Sequence, residues 1–199
     1  GININYTEIS NRPHIEVRQA ITECDFVIDQ VYSDSPMAGF AAEAALAGKP
    51  AVVCGYYSAN YEDDLAPQFR PPSLYCQPEQ LEESIRTLAT DAALREHLGA
   101  AAQSFVRDNW SPQIVAQRYL KLASGAPIPP DWIYHPDRNR YFLGMGIDKY
   151  SLRNVLRLYL KRFGDDALGI NATPELKRLV LAFASQEESC TCALSDVTH

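Results

Sequence analysis

Residues 24–55 have the sequence CDFVIDQVYSDSPMAGFAAEAALAGKPAVVCG, and this stretch decides the fold. Its short apolar run at 25–29 predicts a strand buried on both faces of a parallel sheet. The alanine-rich segment 38–47 predicts a slim helix that can lie close to a sheet. Gly48 suits the left-handed residue that ends such a helix, and residues 50–54 predict the next strand. The order strand, loop, helix, strand is one unit of a parallel α/β sheet.

The loop after the first strand predicts a ligand site. In open parallel sheets, ligands bind beyond the carboxyl ends of the strands, where the N-terminal N–H groups of helices attract phosphate. Glu43 lies about one turn inside the predicted helix, so its carboxylate could accept hydrogen bonds from ribose hydroxyls. The backbone N–H groups of Met37, Ala38, Gly39 and Phe40 could face a diphosphate. These contacts predict a nucleotide-sugar site.

The segment GFAAEAALAGKPAVV resembles the donor-binding segment of GT-B glycosyltransferases, in which a glutamate opens an E-A-x-x-x-G-x-P run after a glycine-containing loop. Glu43, Ala44, Gly48 and Pro50 match that run. Many members carry a second glutamate, eight positions earlier, that contacts the sugar, and Ser35 occupies that position here. The resemblance covers roughly residues 1–124 and implies a Rossmann-like fold, the C-terminal half of GT-B.

The resemblance also implies a function. Such a domain is the donor-binding half of a hexosyltransferase-like glycosyltransferase, which transfers a sugar from a nucleotide-diphosphate sugar to an acceptor. Members of the family need no metal or other cofactor, because helix dipoles and basic side chains neutralise the leaving diphosphate. The acceptor and the usual catalytic base belong to an N-terminal domain, and the usual basic residues lie earlier than this chain begins. We therefore expect a piece of a longer enzyme that binds donor weakly, transfers no sugar alone, and contains no assigned catalytic residue.

Other side chains at the predicted edge could contribute. Tyr32, Asp34 and Ser35 lie in the loop after the first strand, where they could bind sugar hydroxyls or simply form an ordinary turn. Tyr56 and Tyr57 leave the end of the next strand, where they could contact a base or a sugar ring or pack on the domain's own surface.

Composition excludes several classes of function. The net charge of −7 disfavours nucleic-acid binding, which needs a basic face. No apolar run approaches the roughly 20 residues of a membrane span, and no signal-peptide pattern is present. The odd number of cysteines, five, predicts buried thiols in a reducing compartment. We expect a cytoplasmic protein.

Three regions are predicted along the chain: a Rossmann-like domain over 1–125, truncated at its N-terminus, a strap and helical extension over 126–187, and a disordered tail over 188–199. In the first region, the alternating residues 1–9 predict a strand. Asn11 is predicted to cap the helix that follows.

The remaining helices are predicted from their apolar periodicity. Three helices after residue 78 end the first region and resemble the closing helices of a GT-B C-terminal domain. In the extension, a helix over 150–163 is expected to present one apolar stripe. That stripe consists of Leu152, Val155, Leu156, Tyr159 and Leu160. A further helix is predicted over 174–184. His14 near a helix start could be a catalytic base or a phosphate contact, but the helix dipole disfavours its cationic form, which favours a surface position in the capping region.

Two other functions are compatible with this pattern. A non-catalytic Rossmann-like interaction module is favoured by the missing second glutamate and the long C-terminal segment. A nucleotide-sugar epimerase uses a similar glutamate and glycine loop, but with adjacent glycines where this chain has the single Gly39.

Overall fold

The structure is a computed structural model that describes residues 2–33, 35–132 and 146–186. A short parallel sheet lies in the first of its two compact units, which ends at Asp148. Within these ranges, β1 (Val27–Ile28), β2 (Ala51–Cys54) and β3 (Leu74–Cys76) form one parallel sheet in that order. Val27 pairs with Ala51, and Val52 pairs with Leu74. The predicted parallel α/β sheet is therefore confirmed.

Helices flank this sheet. Before β1 comes α1 (His14–Glu23), and between β1 and β2 comes α2 (Gly39–Leu46). The connection from β2 to β3 contains α3 (Tyr61–Asp64) between the 3-10 turns Tyr56–Asn60 and Pro67–Phe69. After β3 come a 3-10 turn (Pro78–Gln80), α4 (Leu81–Thr90), α5 (Ala92–Trp110) and α6 (Pro112–Ala123).

Alternate residues of β2 belong to two different cores. Ala51 and Val53 pack in a cluster with apolar residues from α1, α2 and α5, whereas Val52 and Cys54 pack with Cys76 and Leu88 on the other face. Every β2 side chain is buried. This burial explains the continuous apolar run in the sequence, because helices cover both faces of a parallel sheet.

The C-terminal end of α2 is held by α5. Gly48 has φ of 73°, the left-handed conformation predicted for it. The side-chain amide of Gln103 donates to the Leu46 carbonyl at 2.8 Å. Gly99 packs so closely that an added Cβ atom would lie 2.1 Å from the Gly48 carbonyl oxygen. The position of α2 therefore depends on a glycine in the middle of α5.

A second compact unit begins at Lys149. Its described part contains α7 (Lys149–Phe163), a 3-10 turn (Asp166–Leu168) and α8 (Pro174–Ser185). The two helices pack together and bury Leu152, Leu156, Val180 and Ala184. The Arg153 and Arg157 side chains donate to the Phe183 and Ala184 carbonyls at 3.1 and 2.7 Å, which caps the C-terminal end of α8.

Two local predictions are wrong. Residues 2–9 belong to no strand and are exposed, because alternation stabilises a strand only where one face can be buried. Asn11 does not cap α1, which begins after Pro13 without a side-chain cap. The predicted apolar stripe of α7 is buried at Leu152 and Leu156, whereas its Val155 and Tyr159 side chains are exposed.

The predicted division after residue 125 stays a prediction. The first compact unit extends to Asp148, and residues 133–145 of the predicted strap and the predicted tail lie outside the described residues. Among the described helices, none combines the length and the apolar character that crossing a bilayer requires.

Gly99→Ala is expected to destabilise the protein by about 1–3 kcal/mol, because the new methyl group must displace the Gly48 backbone. In an open helix position, the same substitution would be neutral or stabilising by up to about 1 kcal/mol. Chemical denaturation measures both free energies of unfolding. Gly39→Ala is the matched control, since a Cβ atom there meets nothing within 4 Å. A Gly99→Ala variant as stable as the parent would contradict the proposed close contact.

Candidate functional site

Two helix N-termini meet at the carboxyl edge of the sheet. Because α1 leads into β1 and α2 leads into β2, both helices run antiparallel to the strands and begin at the edge where the strands end. Neither helix has a side-chain N-cap. Their first N–H groups therefore make this edge locally electropositive.

Glu43 contacts a residue from the neighbouring helix. Its Oε2 atom lies 2.7 Å from Nε2 of His14, which donates to the carboxylate. The side chains are 39% and 66% exposed, respectively. Ala41, Ala44 and Ala45 are buried on the opposite side of α2, so that helix turns Glu43 toward α1. The Oε1 atom has no hydrogen-bond partner among the described residues.

A groove of about 480 Å³ separates α1 from α2 beside this pair. It is lined by His14, Arg18, Ile21, Thr22, Glu43, Leu46 and Ala47. Arg18 is exposed and forms no ion pair within the described ranges. The groove therefore combines a hydrogen-bond acceptor, an imidazole and a guanidinium over an apolar floor, a mixture typical of small-molecule sites.

Asp29 lies at the start of α2. It is the residue after β1, is only 4% exposed, and accepts a hydrogen bond from the Ala38 N–H at 3.2 Å. Its Oδ1 atom has no partner among the described residues. This carboxylate places negative charge at the helix N-terminus, which opposes a diphosphate at that position.

Tyrosines surround the adjacent part of the edge. The rings of Tyr32 and Tyr56 have centroids 6.2 Å apart, and the Tyr56 hydroxyl donates to Glu79 at 2.8 Å. This hydrogen bond raises the pKa of Tyr56 to about 12. Tyr32 has φ of 64° and lies so close to Gly146 that a Cβ atom on that glycine would clash. The backbone of Tyr32 is thus closely packed against Gly146, although Tyr32 is 54% exposed.

The structure separates the other predicted site residues. Met37 is in the core, whereas Phe40 is exposed at the start of α2 beside Gly39. The Ser35 N–H donates to the Ser33 hydroxyl at 3.2 Å, as in an ordinary turn. The Tyr57 hydroxyl donates to Asp64 at 2.6 Å, and both residues lie in the connection between β2 and β3. Asp34 lies outside the described residues.

The cysteines in the described ranges are free thiols that are buried or partly buried. Cys54 and Cys76 are buried and face each other across β2 and β3, and Cys24 is partly buried. Burial, followed by the nearby Cys76 thiol, raises the pKa of Cys54 to about 11. The prediction of buried thiols holds for Cys54 and Cys76, whereas Cys190 and Cys192 lie outside the described residues.

Sequence reasoning missed two contributors to this region, Arg18 and Asp29, and favoured a surface position for a third, His14. His14 was predicted to be a surface residue, and it is exposed, yet it also contacts Glu43. The available signal was the crossover rule, which brings the first turns of consecutive helices to one edge. Asp29 was visible as the acidic residue that ends the DFVID strand.

No protein-family model matches the chain, and no curated protein or solved structure matches it significantly. Within the described ranges, no three His, Cys, Asp or Glu side chains are grouped so that they could hold a metal ion. The expectation that no metal or other cofactor is needed stays a prediction.

Glu79→Gln is expected to lower the pKa of Tyr56 from about 12 toward its ordinary value of about 10. The raised pKa means that the hydrogen bond to Glu79 stabilises the neutral phenol in the folded state. This contribution to folding is therefore present below about pH 10 and is lost as the pH rises through about 12. Carbon NMR of labelled tyrosine Cζ, assigned with Tyr56→Phe, measures the shift. Glu96→Gln on α5 should leave the signal unchanged, and a Glu79→Gln variant with the parent titration would refute the assignment.

Proposed function

We propose that this chain is the donor-binding half of a glycosyltransferase, with a nucleotide-diphosphate sugar as its ligand and an acceptor domain as its partner. The observation that carries the proposal is the Glu43 carboxylate, which is partly exposed beside the groove between helices α1 and α2. The ribose hydroxyls of a nucleotide sugar are the groups that could donate hydrogen bonds to this carboxylate.

The hydrogen bond from His14 supports such a role. Because the imidazole engages Oε2, it fixes the direction of the carboxylate and leaves Oε1 to accept a ribose hydroxyl. An acceptor that is already oriented loses less conformational entropy on binding. The ribose would therefore meet a preorganised group.

The position of the diphosphate follows from the charges. Asp29 disfavours an anion at the first residues of α2, although those N–H groups were the predicted contact. Arg18 lies in the same groove as Glu43 and offers a guanidinium, which binds phosphate through paired hydrogen bonds. We infer that the diphosphate contacts Arg18 more directly than the α2 N-terminus.

Glu43→Ala is expected to weaken nucleotide binding about 10- to 100-fold, because it removes a charged acceptor of ribose hydroxyls. Calorimetry with UDP, GDP and ADP would identify the preferred nucleotide and measure its loss in the variant. Glu82→Ala is the control, since that glutamate also lies on a helix and pairs with a basic residue, Arg86, at 2.9 Å. A nucleotide that binds the parent and the Glu43→Ala variant equally would refute the site.

His14→Ala is expected to weaken binding of the same nucleotide by up to about tenfold, because it leaves Glu43 without its orienting donor. His14→Gln should recover most of the affinity, since its amide can donate to the carboxylate. The titrations would use the nucleotide chosen above. If Gln and Ala behave alike, the imidazole does not act by orienting Glu43.

One observation favours the alternative of a non-catalytic interaction module. Glu43 already has a partner within its own chain, and an exposed pair of this kind stabilises a fold by only about 0–1 kcal/mol. In that case no nucleotide would bind, and Glu43→Gln would change only the free energy of unfolding, by about 1 kcal/mol or less. The calorimetry above therefore distinguishes the two functions.

A further inference from the structure

Two aromatic rings lie beside each other at the carboxyl edge of the sheet. Tyr32 follows β1 and Tyr56 follows β2, and their ring planes are inclined by 44°. Tyr32 is exposed, and Tyr56 is half-buried. The carboxyl ends of the strands are where open parallel sheets bind their ligands. We name these two rings the tyrosine pair, and it presents aromatic surface where a ligand is expected.

The backbone of Tyr32 adopts a conformation that is unfavourable for a bulky residue. Its φ of 64° lies in the left-handed region, which glycine and asparagine tolerate much better than tyrosine does. A Cβ atom added to Gly146 would lie 2.8 Å from Tyr32 Cβ and 2.9 Å from its carbonyl oxygen, so close packing helps to hold this conformation. Strained residues of this kind cluster at ligand sites. The exposed ring is therefore the feature that a tyrosine contributes at this position.

A carboxylate from the third strand adjoins the tyrosine pair. Glu79 follows β3 and is exposed, and its Oε1 atom accepts the hydrogen bond from the Tyr56 hydroxyl. Its Oε2 atom accepts no hydrogen bond from any described residue. An ionised carboxylate can only accept hydrogen bonds, so a ligand group beside Oε2 must be a donor.

The chemistry of this place selects one part of a nucleotide. The hydrogen bond to Glu79 raises the pKa of Tyr56 to about 12, so the phenol stays neutral and does not cancel the charge of the carboxylate. A phosphate, which only accepts hydrogen bonds and is negatively charged, would be repelled by Glu79. A nucleobase is uncharged and flat, carries N–H donors on its edge, and stacks on aromatic side chains.

We propose that the tyrosine pair binds the base of the nucleotide by stacking, and that Oε2 of Glu79 accepts hydrogen bonds from the edge of that base. This inference rests on the proposed donor site and names its base. Guanine matches best, because its N1–H and amino donors are adjacent on one edge. Uracil instead has a single N–H between two carbonyl oxygens, which the carboxylate would repel.

Another exposed ring pair lacks these features. Tyr159 and Phe163 of α7 have ring centres 5.0 Å apart. The Tyr159 hydroxyl donates to a backbone carbonyl, that of Ala167, and the described part of the second unit contains no strand. The position at a sheet edge and the adjoining carboxylate therefore distinguish the tyrosine pair from an ordinary contact between exposed rings.

The experiment is calorimetry of the full chain with GDP and UDP. GDP is expected to bind about tenfold more tightly than UDP, because guanine can donate two hydrogen bonds to Glu79. Tyr32→Asn should weaken GDP binding by about tenfold or more, because it removes the stacking ring while suiting the left-handed backbone. Tyr32→Phe keeps the ring and should bind GDP as the parent does. Tyr159→Ala is the matched control and should also retain binding.

Glu79→Gln tests the choice of base. The substitution replaces one acceptor oxygen by an amide donor, so the affinities for GDP and UDP are expected to come within about threefold of each other. Circular dichroism checks that each variant folds. A parent that binds UDP as tightly as GDP, or a Glu79→Gln variant that keeps the full preference for GDP, would overturn the assignment of guanine.

Further outcomes separate this inference from the proposed function. If Glu43→Ala weakens GDP binding and Tyr32→Asn does not, the donor site stands and the tyrosine pair does not bind the base. The reverse result keeps the base contact and refutes the ribose contact at Glu43. If Tyr32→Asn weakens binding of GDP-mannose but not of GDP, the rings contact the transferred sugar, and the inference is overturned. If neither nucleotide binds the parent chain, both proposals fail.

Discussion

The close packing of α2 is the constraint on which the rest of the first unit depends. Ala41, Ala44 and Ala45 have side chains small enough for α2 to lie against the sheet, while Gly99 lets the α5 backbone approach Gly48. With one side of the helix buried in this way, the helical period directs Glu43 away from the core and toward α1. The candidate site therefore depends first on side-chain volume, and the hydrogen bond from His14 then orients the Glu43 carboxylate.

Charges at the carboxyl edge then divide the site into two parts. The buried Asp29 carboxylate occupies the start of α2, where the Ala38 N–H and the helix dipole offset part of the cost of burying it. The groove between α1 and α2 instead contains His14 and Arg18, which can interact with an anion. An anionic ligand would thus be attracted toward His14 and Arg18 in the groove and repelled by Asp29 from the N-terminus of α2.

The sequence predicted the fold better than the site, for a physical reason. The β2 run, the alanines of α2 and the Gly48 stop are local signals, and the structure bears them out. The contact between His14 and Glu43 joins residues 29 positions apart, so it depends on how two helices are placed. The strand predicted at the N-terminus does not form in residues 2–9, because a local alternation of apolar and polar residues does not provide a neighbouring strand to pair with.

The apolar stripe of α7 illustrates the same difference between pattern and placement. Periodicity gives Leu152, Val155, Leu156 and Tyr159 equal weight as apolar positions, yet only Leu152 and Leu156 are buried where α7 packs on α8. The Arg153 and Arg157 side chains reach the end of α8 and donate to its carbonyls. How much of a stripe is buried therefore depends on where the neighbouring helix lies, which the period of one helix does not encode.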